Sequence, residues 1–345
     1  MHNSDSSNFV KFLHQLPQQI TDSTSALSEV NFKTIPRSFR HILVAGMGGS
    51  AIAGELLLTY LQDELKQPLQ VCRNYVLPTY TDEHTLLVAC SYSGNTEETL
   101  AMTEAAMQRK ATIVAVTSGG RLGEMAKEHQ FPVLHIPAGL PPRQALGYLF
   151  FSILHFFENL GLVSSKKDEV DETLYVLQDI RKHNHPENTK GRNLSSHIAQ
   201  RLYQKVPIIY TASQLMTPVT VRWRNQFNEN AKTLAFSNVL PELNHNEIMG
   251  CESPENILSQ FNIVLLRDEK GEHPRNNKRL EITREIYRKC GLPIFEVFPE
   301  GNSPLARLFS QIYIGDWVSY YLALMYDKDP VKIDSIEQLK KSLEN

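Results

Sequence analysis

No uninterrupted apolar run in this 345-residue chain approaches the roughly 20 residues that a membrane-spanning helix needs. The longest greasy stretch, Tyr148 to Phe157, is short and contains His155, so it predicts a buried helix and no membrane partner. The opening residues, Met1 to Val10, are polar and lack the basic-then-apolar order of a secretory signal. Cysteine is scarce: Cys72, Cys90, Cys251 and Cys290 lie too far apart for a CxxC zinc site. Three of them sit in or beside apolar or helix-like runs, where a free thiol acts as a small hydrophobe, and a reducing cytoplasm is expected. An excess of positive charge is also missing. With 35 basic and 38 acidic side chains the formal charge is −3, which disfavours nucleic acid and anionic membranes as partners. What remains, 41% apolar and 21% charged residues, is an ordinary globular composition. At about 150 residues per domain the length predicts two domains.

From His41 to Pro137 short apolar runs alternate with longer amphipathic ones, the syntax of an α/β fold. Strands are expected at Ile42–Ala45, Leu69–Asn74, Thr85–Cys90, Thr112–Thr117 and Val133–Ile136, with helices at Ser50–Gln62, Glu97–Gln108 and Arg121–Glu128. A helical leader (about 6–31) precedes them. Right-handed crossovers between parallel strands give a three-layer open sandwich that binds ligands beyond the carboxyl ends of its strands. Ser164 to His197 is charged and strand-poor, which predicts a helical bridge with an exposed loop near Pro186. A second alternating block follows: strands Pro207–Tyr210, Phe261–Leu266 and Ile294–Val297, helices Val219–Thr233 and Asn276–Cys290, and a long apolar helix from Ser303 to Met325. The expected division is 1–160, a bridge over 161–200, and 201–345.

The first strand runs into Gly46-Met47-Gly48-Gly49-Ser50, a turn that opens a helix whose unpaired N–H groups suit an anion. It fits a dinucleotide fingerprint only loosely, because Arg73 stands where an acidic ribose-binding residue belongs, and no lysine follows as in a Walker A loop. The third strand ends in Ser91-Tyr92-Ser93-Gly94-Asn95-Thr96, where clustered hydroxyls at a helix start could surround a monophosphate together with Ser50. The plain alternative is that Asn95 or Thr96 caps the helix and Gly94 makes the turn. Two such loops at successive strand ends favour a phosphate cradle of Gly48, Gly49, Ser50, Ser91, Ser93 and Thr96.

These two loops resemble the signatures of the sugar isomerase (SIS) domain. A closer resemblance, to the bifunctional phosphoglucose/phosphomannose isomerase family, rests on four further stretches. They are Pro141-Pro142-Arg143-Gln144-Ala145-Leu146-Gly147, Asn228-Glu229-Asn230-Ala231-Lys232, Asn244-His245-Asn246-Glu247, and Tyr313-Ile314-Gly315-Asp316-Trp317 followed by Asp329-Pro330 and Leu339-Lys340. The resemblance implies two SIS-type α-β-α sandwiches with parallel sheets. It also implies an isomerase of glucose 6-phosphate, mannose 6-phosphate and fructose 6-phosphate that works through an enediolate, without metal or other cofactor. Glu229 would move the proton, Arg143 would face the enediolate, and His245 with Lys340 would assist ring opening. His245 would be supplied by the neighbouring subunit of a homodimer.

The residues alone say less about this set. Thr217 before Pro218, an expected cap followed by proline at the first helical position, marks the start of the helix that carries Glu229. Trp223 and Phe227 should face the core, while Arg222, Asn225, Gln226 and Glu229 share another face that periodicity alone would leave solvated. His245 lies in a polar loop with no metal-ligand spacing, and Lys340 lies beside Lys341 in a final helix, Ile333–Leu343. Two competing functions are a sugar-phosphate-sensing regulator and a Rossmann dehydrogenase. The first lacks a basic recognition helix in the leader, and the second lacks the acidic ribose ligand.

Overall fold

The structure, a computed structural model, describes residues 5–188, 191 and 193–343. In chain order α1 (Val10–His14) and α2 (Leu16–Asp22) precede β1 (His41–Ala45), α3 (Gly48–Tyr60), β2 (Leu69–Cys72) and β3 (Thr85–Cys90). Then come α4 (Glu97–Gln108), β4 (Thr112–Thr117), α5 (Gly120–His129), β5 (Val133–His135), α6 (Leu146–Leu160) and α7 (Lys167–Asn184). The remainder is α8 (Leu194–Leu202), β6 (Val206–Thr211), α9 (Thr217–Glu229), β7 (Phe236–Val239), α10 (Glu255–Leu258), β8 (Phe261–Leu266), α11 (Pro274–Lys289), β9 (Ile294–Val297), α12 (Pro304–Met325) and α13 (Asp334–Leu343). The chain divides into two units: Gln15–Leu174, and Met1–His14 with Tyr175–Asn345.

The first unit holds a five-stranded sheet in the order β2-β1-β3-β4-β5, every pairing parallel. Its central strand β3, Thr-Leu-Leu-Val-Ala-Cys, is buried at every residue, because helices cover both faces and leave no polar side for alternation to mark. Met102 and Ala106 of α4 and Leu122 and Ala126 of α5 pack on the face that carries Leu43, Leu87 and Ala115. Helix α3 crosses the opposite face so closely that Gly54 leaves no room for a side chain against Val44 and Val71. The greasy run around His155 is the buried helix α6.

The second unit repeats this arrangement with four parallel strands ordered β7-β6-β8-β9. Three of these were expected. The fourth, β7, is an edge strand of Phe236-Ser237-Asn238-Val239 with no buried residue, so it lacks the apolar run that marked the others. The helical leader is broken into α1, α2 and a 3-10 segment at Ser23–Leu27. Part of the loop expected near Pro186, residues 189, 190 and 192, lies outside the described residues.

Two local expectations are corrected. Thr217 is the first helical residue of α9 and not its cap; Met216 holds the cap position and Pro218 lies in the first turn. The four cysteines are not all free thiols: Cys251 and Cys290 form a disulfide across 39 residues of sequence, while Cys72 and Cys90 are free and buried. Spacing could not reveal that pair, since it is made by the fold. No described helix is long and apolar enough to cross a membrane.

Candidate active site

The chain leaves β1 for β2 on one side of the first sheet, while β3 lies on β1's other side. The loops that follow β1 and β3 therefore part at the carboxyl edge and open a crevice between them, the place where open parallel sheets bind ligands. The glycine-rich turn 46–48 follows β1, and the hydroxyl-rich turn 91–96 follows β3. Ser50 is buried, and its side chain hydrogen-bonds the Cys90 thiol, which burial pushes up to about 12 against the opposing effect of that bond. Ser91 Oγ donates to Thr96 Oγ1 at 2.9 Å, joining the first and last hydroxyls of the second turn.

The capping alternative for this turn is answered by geometry. Thr96 holds the cap position of α4 but gives it no side-chain hydrogen bond. Asn95 turns away, and its Oδ1 accepts from the backbone N–H of Arg121 at the start of α5 at 2.9 Å. Helix α3 likewise opens at Gly48 with no side-chain cap. Two helix N-termini, each with first-turn N–H groups unclaimed by a side-chain cap, thus flank the crevice together with Ser50, Ser91 and Thr96. Ser93 is exposed at its rim and accepts from Asn95 N at 3.3 Å. Such a set suits a compact anion.

Arg143 lies in the same unit, on the 3-10 turn Pro142–Gln144 that precedes α6. A methyl group added at Gly49 would lie 3.1 Å from Pro142 O and 3.4 Å from Arg143 Cα, so this turn rests directly on the glycine loop. Arg143 is buried, with 4% of its surface exposed. Gln19 Nε2 donates to Gln144 O at 2.7 Å, and Gly147 N donates to Gln19 Oε1 at 3.0 Å, fixing the turn from α2. Tyr92 holds the preceding loop: its hydroxyl donates to Pro137 O and accepts from Leu140 N, both at 2.9 Å.

Glu229, His245 and Lys340 belong to the other unit. Glu229 is the last residue of α9 and half-buried. Lys232 Nζ donates to Glu229 O and to Asp329 O, both at 2.7 Å, which ties this helix end to the segment entering α13. His245 ends a 3-10 turn, Glu242–His245, and is exposed. Lys340 and Lys341 are both exposed on α13. Within this unit Glu229 and His245 are not brought together. Helix α9 runs back from the carboxyl end of β6 for 13 residues, about 20 Å at 1.5 Å per residue, and β7 then returns to the edge where His245 sits.

The face of α9 that periodicity would leave solvated is instead buried at Arg222 and Gln226 and half-buried at Asn225 and Glu229. Arg222 donates to Asp316 from Nε (3.1 Å) and Nη2 (2.7 Å), and Gln226 Nε2 adds a third bond at 2.9 Å. Trp223 Nε1 donates to Gln311 O, and Asn230 Nδ2 to Ser319 Oγ, so α9 is fastened to α12 along its length. The missed signal was Asp316 itself, a carboxylate within a long apolar helix, which must find a cation or donors to be buried. Among the described residues no group of three or more His, Cys, Asp or Glu side chains is placed to hold a metal ion.

Residues 192–343 match the bacterial phospho-glucose isomerase C-terminal SIS domain. A bifunctional phosphoglucose/phosphomannose isomerase of Caldicellulosiruptor bescii is 42% identical over 331 residues, covering 96% of this chain and 97% of that protein. The protein of the same name from Aquifex aeolicus is 36% identical over 88% of this chain and 91% of its own length. Among solved structures, a hypothetical protein from Thermus thermophilus superposes with a TM-score of 0.76 at 16% identity, covering 96% of this chain and 90% of that one, a likeness of fold. With relatives of 42% and 36% identity matched over 96% and 88% of its length, the chain belongs to the bifunctional phosphoglucose/phosphomannose isomerase family.

Proposed function

We propose that this protein interconverts glucose 6-phosphate, and also mannose 6-phosphate, with fructose 6-phosphate through a cis-enediolate, using no cofactor. The observation that carries the reading is the crevice between β1 and β3, where two uncapped helix starts and the hydroxyls of Ser50, Ser91 and Thr96 converge. A sugar 6-phosphate would place its phosphate there, with the N–H groups of Gly48 and Gly49 and the rim hydroxyl of Ser93 completing the cradle. No broad positive surface is needed, which agrees with a formal charge of −3.

The reaction moves one proton between C1 and C2. Glu229 takes it from one carbon and returns it to the other, and Arg143 offsets the negative charge that develops on oxygen in between. His245 and Lys340 exchange protons with the ring oxygen and the anomeric hydroxyl to open the sugar. The separation of Glu229 and His245 to opposite edges of the second sheet supports a homodimer in which His245 serves the neighbouring copy. Work in the cytoplasm on central sugar phosphates fits this chemistry.

The test is a coupled assay of purified protein on each aldose phosphate and on fructose 6-phosphate, with and without a chelator. Turnover of glucose 6-phosphate that survives chelation is the expected result. Binding without turnover would refute the proposal and indicate a sugar-phosphate sensor; loss of turnover on chelation would refute the cofactor-free mechanism.

A further inference from the structure

We propose that Cys251 and Cys290 form a thiol–disulfide switch, exchanging with small disulfides and dithiols, that sets how firmly the segment bearing His245 is held. The inference rests on the role given to His245 above. Its structural basis is the burial pattern of one stretch: from Asn244 to Gln260, Cys251 is the one buried residue, and the rest are half-buried or exposed. Upstream, Leu243 is fully buried; within the stretch Ile248 and Leu258 are half-buried against the same core, and Lys205 Nζ donates to Ser259 O at 2.7 Å just before β8. Asn244 Nδ2 donates to Thr283 Oγ1 of α11 at 2.8 Å, and Tyr210 donates to Glu247. Beyond Glu247 the buried side chain of the stretch is Cys251, bonded to Cys290 at the end of α11 with their Cα atoms 5.9 Å apart. That separation is what a disulfide requires.

Chemical access is uneven across the four cysteines, which makes the pair selective. Cys290 is half-buried at a helix end beside Lys289, whereas burial raises the thiols of Cys72 and Cys90 and leaves them poor nucleophiles. In the oxidising direction a thiolate of the pair attacks a small disulfide RSSR, releasing RS⁻ and leaving a mixed disulfide. The second thiolate then displaces the other RS⁻, so one protein disulfide forms and RSSR becomes two RSH. A dithiol reductant reverses both steps. Reduction removes the covalent tie between this stretch and α11, leaving the half-buried contacts of Ile248 and Leu258, and local opening of His245's segment becomes easier. A disulfide in a protein that works in a reducing compartment is of this transient, sensing kind.

The experiment uses the full-length protein equilibrated with glutathione disulfide and glutathione at several ratios. Free thiols are counted by alkylation and mass, hydrogen exchange is followed over residues 244–260, and kcat and KM are measured for fructose 6-phosphate. Oxidation should protect the amides of 244–260 and raise kcat by roughly three- to thirtyfold over the reduced enzyme, within the roughly hundredfold that an ångström of misplacement can cost. C290S should stay at the reduced level at every ratio; C251A is a second variant with the same expectation, so one unfolded variant does not end the test. A bond that forms and breaks while exchange and kcat stay constant would overturn the proposal, as would a pair that glutathione disulfide fails to oxidise. If neither state turns over sugar phosphate, the isomerase reading fails, and protection of 244–260 alone then decides the switch.

Discussion

On the proposed placement of the phosphate, replacing Gly94 by alanine should damage phosphate binding far more than replacing Gly48, although both glycines lie at positive φ in the loops after β1 and β3. Gly48 has φ +51°, and a methyl group there meets nothing within 4 Å. Its cost is the left-handed backbone alone, about 1–2 kcal/mol. Gly94 has φ +72° and bears that cost as well, but its methyl group would sit 1.8 Å from Gly119 O and 2.7 Å from Gly119 C. Ordinary contact begins near 3.4 Å, so the loops after β3 and β4 must part by roughly 1.5 Å. These are backbone atoms, with no flexible side-chain end to swing aside. Gly94 also accepts from Leu122 N at 2.9 Å and donates to Ser91 O at 3.1 Å, so moving it drags Ser91 and α5 along. A shift of that size in the cradle should raise KM for fructose 6-phosphate, and the inhibition constant of inorganic phosphate, by tenfold or more, on the scale of about a hundredfold per ångström. Steady-state kinetics of G94A and G48A, paired with thermal melts, is the assay. A folded G94A with both constants within about twofold of the parent would refute the placement of phosphate at this turn.

Glu229→Gln should lower kcat by about a thousandfold while leaving the affinity for inorganic phosphate intact, as read by kinetics and inhibition; retained turnover would remove Glu229 from proton transfer. Asp316→Asn should destabilise the second unit by about 3–5 kcal/mol in urea unfolding, because Arg222, with 4% of its side chain exposed, loses its charge partner. Burial opposes ionisation of Glu64, but the bonds from Lys166 Nζ (2.5 Å) and from Ser164 outweigh it and pull the carboxyl down to about 2. Because the folded value lies below the unfolded one, this group stabilises the fold above its ordinary range near 4.5 and stops doing so as pH falls toward 2. Glu64→Gln should accordingly be less stable than the parent at pH 7 and equal to it at pH 2, measured by denaturant unfolding at both.

The parallel sheets were legible because buried strands write continuous apolar runs: β3, β4 and β8 begin and end where the composition places them, as does the half-buried edge strand β9. The glycine- and hydroxyl-rich loops after β1 and β3 were legible for a different reason, since glycines and hydroxyls at strand ends form a local pattern. What depended on pairing across the chain was hidden. Arg222 and Gln226 looked like one solvated face of α9 until Asp316, some ninety residues later, was seen to occupy it. Cys251 and Cys290 lay too far apart in sequence to be read as a pair until the fold set them side by side. β7 went unread because an edge strand with no buried residue carries no period to detect.

The two sheets share a topology, yet a crevice of the same chemistry does not recur, and the reason lies in one carboxylate. In the second sheet the equivalent switch point is between β6 and β8. Ser213 follows β6 there, as Ser50 follows β1, but the loop after β8 supplies Asp268 in place of a cluster of hydroxyls. Asp268 is fully buried; it accepts Ser213 Oγ at 2.9 Å and Arg307 Nε at 2.7 Å. Beside it Arg267 is bound by Glu272 and Glu296, and Glu272 also accepts from Asp268 N at 2.8 Å. Donors that would hold a ligand's phosphate are satisfied by the protein's own carboxylate, and a second anion would face repulsion from a charge it could not displace without leaving Arg307 unpaired. In the first sheet the corresponding place is lined by neutral hydroxyls and helix N–H groups. The second repeat is therefore organised to neutralise its own charge, and on the function proposed above the first receives the substrate's phosphate while the second supplies Glu229, His245 and Lys340.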